Sequence, residues 1–125
     1  MKKILLAFFF CALVYSCKET GATGYETLDN QTFAQKLNDS NVVVLDVRTP
    51  DEYRQGHMPH AILMNYYEDG FKENIQKLDK DKTYLVYCAA GGRSSKASKI
   101  LKDHGFNNVF SLEHGFKKWN GPVEK

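Results

Sequence analysis

The chain has 125 residues, which is enough for one small domain. Apolar residues make up 42% and charged residues 26%, values that exclude a wholly disordered chain. The formal net charge is +2 and becomes neutral without Lys2 and Lys3, so the basic surface typical of nucleic-acid-binding proteins is absent. Only one of the three cysteines lies beyond position 17, which excludes a disulfide scaffold and a thiolate zinc cluster.

The first 16 residues have the pattern of a bacterial lipoprotein signal peptide. Two lysines precede an uncharged apolar run over residues 4–15, shorter than the roughly 20 residues of a membrane-spanning helix. The run ends in Val14, Tyr15, Ser16 and Cys17, which resembles a lipobox. This resemblance implies cleavage before Cys17 and a lipid on that cysteine, which would anchor the protein to a membrane of the bacterial cell envelope, on the periplasmic side or at the cell surface. An ordinary secretory signal and an uncleaved anchor are the alternatives.

Residues 17–24 are predicted to be the lipidated cysteine and its tether. The segment after Cys17 is polar and rich in glycine and threonine, a composition typical of flexible linkers. Residues 25–125 are then the folded domain.

This domain alternates strand and helix patterns. Strands are predicted over residues 25–28, 41–47, 61–65, 83–88 and 108–112. Helices are predicted after a cap at Asp29 or Asn30, after a capping box between Thr49 and Glu52, around residues 71–78 and over 94–104, with a last helical turn over 116–119.

The arrangement of these elements predicts the fold class. The run over residues 41–47 is rich in valine and does not alternate with polar residues, as is typical of a strand covered on both faces. Strands that alternate with helices through short loops predict an α/β fold with a parallel five-stranded sheet and helices on both faces. Ligands bind such sheets at the carboxyl ends of the strands.

A small-residue loop follows the fourth predicted strand. It consists of Cys88, Ala89, Ala90, Gly91, Gly92 and Arg93, and a helix is predicted to begin at Ser94. Glycines let backbone N–H groups turn inward, and a helix N-terminus adds about half a positive charge. We therefore expect the pKa of Cys88 to lie below the ordinary value of about 8.5. The same N–H groups suit an anion or a persulfide sulfur. Arg93 is available to brace loop carbonyls or to meet an anionic substrate.

Four motifs in chain order resemble those of the rhodanese (sulfurtransferase) family. Residues 88–94 resemble the family's Cys-x-x-Gly-x-Arg-Ser pattern. Residues 46–53 resemble its Asp-x-Arg-x-x-x-Glu-Tyr segment, 56–61 its Gly-His-Ile-Pro-Gly-Ala segment and 109–119 its closing segment. His60 and His114 stand where the family carries glycine. The resemblance covers residues 25–121 and implies a rhodanese-like fold.

The resemblance also implies a reaction. A sulfurtransferase of this family moves sulfane sulfur from thiosulfate or a persulfide to a thiol, cyanide or a protein acceptor. The implied intermediate is a persulfide on Cys88, with residues 89–94 binding the substrate and no cofactor required. Phosphatases and arsenate reductases of the same fold carry one more residue between the cysteine and the arginine, so the four residues found here favour sulfur.

Three alternatives stay open at this point. The domain could be a persulfide carrier or redox partner without enzymatic turnover, a phosphatase or arsenate reductase, or an inert copy of the fold. Turnover of thiosulfate and cyanide tests the first alternative, and an assay with an aryl phosphate or arsenate tests the second. Mass spectrometry of a donor-treated sample tests the inert fold.

The remaining polar residues have simpler interpretations. Asp46 and Arg48 are predicted to form an ion pair or backbone contacts at a strand end, with Arg48 as an accessory source of positive potential. His57 is expected to order its turn, and His60 and His114 to lie at the surface. No metal site is expected, because neither His60 nor His114 has a cysteine or carboxylate at metal-ligand spacing.

Overall fold

A computed structural model describes residues 24–125. The predicted signal peptide and nearly all of the predicted tether therefore lie outside the described residues. The described part contains a five-stranded sheet in the order β1-β5-β4-β2-β3, and all pairs are parallel. This confirms the predicted α/β fold.

The strands and helices alternate along the chain. The strands are β1 (Glu26–Leu28), β2 (Val42–Asp46), β3 (Ile62–Leu63), β4 (Thr83–Tyr87) and β5 (Asn108–Leu112). The helices are α1 (Asn30–Lys36), α2 (Pro50–Gln55), α3 (Phe71–Gln76) and α4 (Gly92–Asp103), followed by a 3₁₀ turn over Phe116–Lys118.

The two faces of the sheet bury separate hydrophobic clusters, because successive strand residues point to opposite sides. Leu45 and Val86 belong to the cluster that includes residues of α3 and α4. Val44 and Leu85 belong to the cluster that includes Phe33 of α1. Helices therefore cover both faces, as the uninterrupted apolar run of β2 predicted.

Side-chain caps begin two of the helices as the sequence predicted. Asp29 caps α1 and accepts a hydrogen bond from the Thr32 N–H at 2.8 Å. Thr49 and Glu52 form the capping box of α2. No helix in residues 24–125 is long and apolar enough to cross a membrane.

Several predicted boundaries differ from the structure by one or two residues, and two elements differ most. The third strand is only two residues long, Ile62–Leu63, rather than the predicted 61–65. It pairs with β2 at the edge of the sheet. Beyond Leu63 the chain keeps hydrogen bonds from the Met64 N–H to Asp46 and from the Tyr66 N–H to Val47, but it no longer forms a regular strand. The helix predicted over 94–104 begins at Gly92 and ends at Asp103. Gly91 has φ +103°, and this left-handed turn brings the chain into the helix two residues early.

Candidate active site

The Cys88 loop (residues 88–94) leaves the carboxyl end of β4, in the middle of the sheet. Cys88 is 1% exposed, and its side chain belongs to the cluster on the α4 side. Gly91 supports this geometry in two ways. Its φ is +103°, and a Cβ placed there would lie 2.4 Å from the Glu113 carbonyl oxygen. Only glycine fits at this turn without strain or a clash.

Hydrogen-bond donors converge on the Cys88 sulfur. The Gly91 N–H donates to Sγ at 3.1 Å, and the Ser94 Oγ lies 3.5 Å from Sγ. Burial by itself raises the pKa of the thiol, but hydrogen bonds from the Ser94 hydroxyl and from the backbone N–H groups of Ser94, Ala90 and Gly91 outweigh it. The pKa of Cys88 therefore lies below its ordinary value, as the loop composition predicted.

The 3₁₀ turn braces the outer side of the loop. The Phe116 N–H donates to the Cys88 carbonyl at 2.7 Å, and the Lys117 N–H donates to the Ala89 carbonyl at 3.0 Å. Gly115 permits this close approach, because a Cβ there would lie 2.4 Å from the Ala89 oxygen. These two carbonyls accept hydrogen bonds from the 3₁₀ turn, while the N–H groups of Ala90, Gly91 and Ser94 point toward the sulfur.

Arg93 makes a different contact from the predicted brace on loop carbonyls. Its guanidinium pairs with both carboxylate oxygens of Glu52 on α2, at 2.7 and 3.0 Å. It also lies 5.5 Å from the ring of Tyr67, which is 66% exposed. Hydrogen bonding from Arg93 lowers the pKa of Glu52 to about 2, so the pair is ionic at neutral pH. Arg93 thus ties the start of α4 to α2.

A second polar cluster, the Asp46 network (Asp46, Arg48 and Tyr87), lies behind the loop. The Arg48 guanidinium donates to both carboxylate oxygens of Asp46, at 3.0 and 2.7 Å, and to the Gly56 carbonyl at 2.7 Å. The Tyr87 hydroxyl donates to Asp46 at 2.7 Å and accepts from the Met58 N–H at 3.0 Å. Arg48 is 4% exposed and Asp46 is fully buried, so the predicted ion pair forms inside the protein.

The histidines lie away from Cys88 in the chain and make local contacts. The His57 ring stacks on Tyr53 at 3.7 Å, and its backbone pairs with Glu124, so this residue orders its turn. His60 and His114 are exposed, as predicted. His60 has φ +61°, so it adopts a backbone conformation that favours glycine, the residue that the family motif carries there. No cluster of metal-ligating side chains occurs in the described part of the chain.

A cavity of about 270 Å³ opens beside the loop, between Ala89, Arg48, Phe116 and Lys117. The Arg48 guanidinium lies 4.3 Å from the ring of Phe116, so this wall combines a cation with an aromatic face. A larger cavity of about 630 Å³ lies against β2 and α1 and includes no residue of the Cys88 loop. The smaller cavity is the one that borders the Cys88 loop, which contributes Ala89 to its wall.

Sequence reasoning missed three contributors to this site. The sequence indicates only a helix cap and a motif residue at Glu52, yet this side chain also pairs with Arg93. It indicates only a strand residue at Tyr87, yet the Tyr87 hydroxyl donates to Asp46. Ser111 donates to Ser94 from β5 at 3.1 Å. The available signal is positional, because Tyr87 and Ser111 place polar atoms at buried positions of their strands.

These features define a class of protein. A parallel α/β sheet presents a buried cysteine at the end of its central strand, in a glycine turn that leads into a helix and stabilises a thiolate. This is the arrangement of a cysteine-dependent transferase or hydrolase site.

Comparison with known proteins identifies the family. The family model described as "Rhodanese-like domain" matches residues 29–122. The thiosulfate sulfurtransferase GlpE of Pseudomonas syringae is 31% identical over 86 residues, 69% of this chain and 79% of that protein. A rhodanese-related protein from Thermoplasma volcanium superposes with a TM-score of 0.71 at 29% identity, covering 80% of this chain and 98% of that one. The chain belongs to the rhodanese-like domain family.

The family also includes proteins with other activities. The tRNA uridine(34) hydroxylase of Onion yellows phytoplasma is 38% identical over 90 residues, which cover 68% of this chain but only 29% of that protein. Membership therefore supports sulfurtransferase activity at the level of the family.

Proposed function

We propose that this protein is a sulfurtransferase that moves sulfane sulfur from thiosulfate or a persulfide to a thiophilic acceptor through a persulfide on Cys88. The observation that carries the proposal is the convergence of loop donors on one sulfur atom, with the Gly91 N–H at 3.1 Å. Donors that stabilise a thiolate also stabilise the charged outer sulfur of a persulfide.

The reaction proceeds in two steps. The Cys88 thiolate attacks the outer sulfur of thiosulfate, a new S–S bond forms, and the old S–S bond breaks with its electron pair leaving on sulfite. Cyanide or a thiolate then attacks the outer sulfur of the persulfide, and the pair of the broken S–S bond returns to Cys88 as thiolate. This is covalent catalysis with ping-pong kinetics.

The loop and the neighbouring cavity support sulfur transfer over a reaction with phosphate or arsenate. Four residues separate Cys88 from Arg93, one fewer than in the phosphatases and arsenate reductases of the same fold. Arg93 is held by Glu52, which reduces its availability to a phosphate or arsenate. The cavity between Ala89 and Lys117 suits a small anionic donor and a thiol or cyanide acceptor, and a protein acceptor could reach the loop from the same side.

The test is the intact mass of the reduced protein after incubation with thiosulfate. We expect a gain of one sulfur atom that cyanide removes, and no gain in Cys88→Ser. Persulfide formation without steady-state turnover of cyanide would instead identify a sulfur carrier. Faster hydrolysis of an aryl phosphate, or reduction of arsenate, would overturn the proposal.

We also propose that a lipid on Cys17 anchors the protein to the bacterial cell envelope. The support is the charged start, the apolar run over residues 4–15 and the lipobox-like residues before Cys17. In a bacterial host, Cys17→Ala should abolish acyl labelling and either release the protein from membranes or leave its signal uncut. Wild-type protein that takes up no acyl label would contradict the anchor.

A further inference from the structure

Three serines are buried around α4 and differ in their hydrogen bonds. Ser94 and Ser98 lie one turn apart on the helix, Ser111 lies on β5, and none is more than 1% exposed. The Oγ atoms of Ser111 and Ser94 are 3.1 Å apart. The Ser98 Oγ has no hydrogen-bond partner among the described residues.

The strands place Ser111 on the same side of the sheet as Cys88. Ser111 pairs with Val86 in the parallel ladder, and Cys88 is two residues beyond Val86, so its side chain points the same way. Val86 and Cys88 both belong to the cluster under α4. Ser111 therefore faces the helix that carries Ser94.

Counting protons assigns the direction of each bond. A buried hydroxyl proton needs an acceptor, and the contact that the structure gives Ser111 is the Ser94 oxygen. Because Ser94 accepts this proton, its own single proton is directed elsewhere. The two positions within reach are the Gly91 carbonyl at 3.1 Å and the Cys88 sulfur at 3.5 Å.

We propose that Ser111 is a positioning residue that acts through Ser94 and keeps the Ser94 hydroxyl a donor toward the Cys88 side of the site. While Cys88 is a neutral thiol, Ser94 donates to the Gly91 carbonyl and accepts from S–H. When the thiol loses its proton, the Ser94 hydroxyl rotates and donates to the sulfur. The inference rests on the proposed function insofar as the thiolate is the form that attacks the donor.

The charged groups near Cys88 in residues 24–125 do not hydrogen-bond its sulfur, so neutral groups are left to stabilise the thiolate. Arg93, at the start of α4, interacts electrostatically with Cys88. Its guanidinium is already paired with Glu52 on α2. The groups in direct hydrogen-bond contact with the sulfur are therefore neutral: the Gly91 N–H donates to it, and the Ser94 hydroxyl accepts from the thiol. The orientation of that hydroxyl decides whether it also stabilises the thiolate.

The test is the pH dependence of iodoacetamide alkylation at Cys88, followed by peptide mass spectrometry on the full chain so that Cys11 and Cys17 are resolved separately. Ser111→Ala should raise the midpoint of the profile by about 0.5 to 1 on the pH scale. Ser111→Thr retains the hydroxyl and should return the midpoint toward wild type. A merely structural role would change the unfolding temperature without moving this midpoint.

Ser98→Ala is the matched control, because it removes an equally buried hydroxyl from α4, the helix that carries Ser94. It should leave the midpoint of the alkylation profile unchanged. Ser94→Ala should raise the midpoint further, and adding Ser111→Ala to it should change nothing more. A wild-type midpoint in Ser111→Ala, or additive shifts in the double variant, would overturn the inference. Failure of wild type to gain sulfur from thiosulfate would reject the proposed function and leave this comparison intact.

Discussion

The Asp46 network and the Cys88 loop are two buried polar clusters at the ends of neighbouring strands, and they use their hydrogen bonds in opposite ways. In the network, the ionic and hydroxyl groups are partnered by one another and by nearby backbone, at 2.7 to 3.1 Å. In the loop, backbone N–H groups of Ala90, Gly91 and Ser94 converge on one sulfur atom. Polar groups that satisfy one another's hydrogen bonds stabilise the fold, whereas donors that converge on one atom stabilise negative charge on that atom.

The comparison predicts its largest effect for Asp46→Asn. This change leaves the Arg48 charge buried without its counter-ion, and we expect a loss of about 3–5 kcal/mol in the free energy of unfolding. Urea denaturation measures it. Adding Arg48→Met should recover part of the loss, because no buried charge then remains. Cys88→Ala should cost about 1 kcal/mol or less while abolishing sulfur transfer. A much smaller loss in the free energy of unfolding of Asp46→Asn would mean that Arg48 does not depend on Asp46 as its counter-ion.

The second prediction compares two adjacent glycines of the loop. In Gly91→Ala the new Cβ meets the Glu113 oxygen at 2.4 Å at φ +103°, so the donor to Cys88 must move. A displacement of about 1 Å can cost a hundredfold in rate, and we expect a loss of that order in persulfide formation. Gly92→Ala is the control, since a Cβ there meets nothing within 4 Å. Equal rates in the two variants would show that the placement of the Gly91 N–H is unimportant.

The third prediction concerns Glu52, which links the loop to α2. Its pKa is lowered to about 2, so its contribution to stability is complete above the unfolded-state pKa of about 4.3 and is lost as the pH falls toward 2. The free energy of unfolding of wild type should exceed that of Glu52→Gln by about 1 kcal/mol at pH 7, and this difference should vanish near pH 2.

Unfolding at a series of pH values checks this sign. Asp51→Asn is the control for Glu52→Gln, because the Asp51–Arg54 pair is exposed on the same helix. It should show little difference at any pH. A Glu52→Gln difference that grows toward acid pH would contradict the ionic pair with Arg93.

The smallest expected effect belongs to Ser98, a buried hydroxyl that belongs to neither cluster. Because its Oγ has no hydrogen-bond partner within residues 24–125, Ser98→Ala removes a desolvated polar atom. We expect the free energy of unfolding to stay equal or to rise by up to about 1 kcal/mol. Thermal unfolding checks this, and a loss above about 1 kcal/mol would reveal a hydrogen bond to Ser98 that the structure does not contain.

The fold and the reactive cysteine were predictable because they depend on local patterns. The apolar run over residues 41–47 required cover on both faces, and the caps at Asp29 and Thr49 set the start of two helices. Cys88 followed by two glycines and a helix predicted a turn of N–H groups around a sulfur, as the Gly91 contact at 3.1 Å confirms.

The sequence by itself therefore determined the parallel sheet, the alternation of strands and helices, and the position of the candidate catalytic cysteine. Only the tertiary structure decided the partners of the side chains, because these pairs lie far apart in the chain. Arg93 binds Glu52 across 41 residues, and Ser111 reaches Ser94 across 17. Arg93 and Ser111 each had several chemically suitable partners in the sequence. The positions of α2, α4 and β5 in the fold selected among them, since a hydrogen bond forms only within about 3 Å.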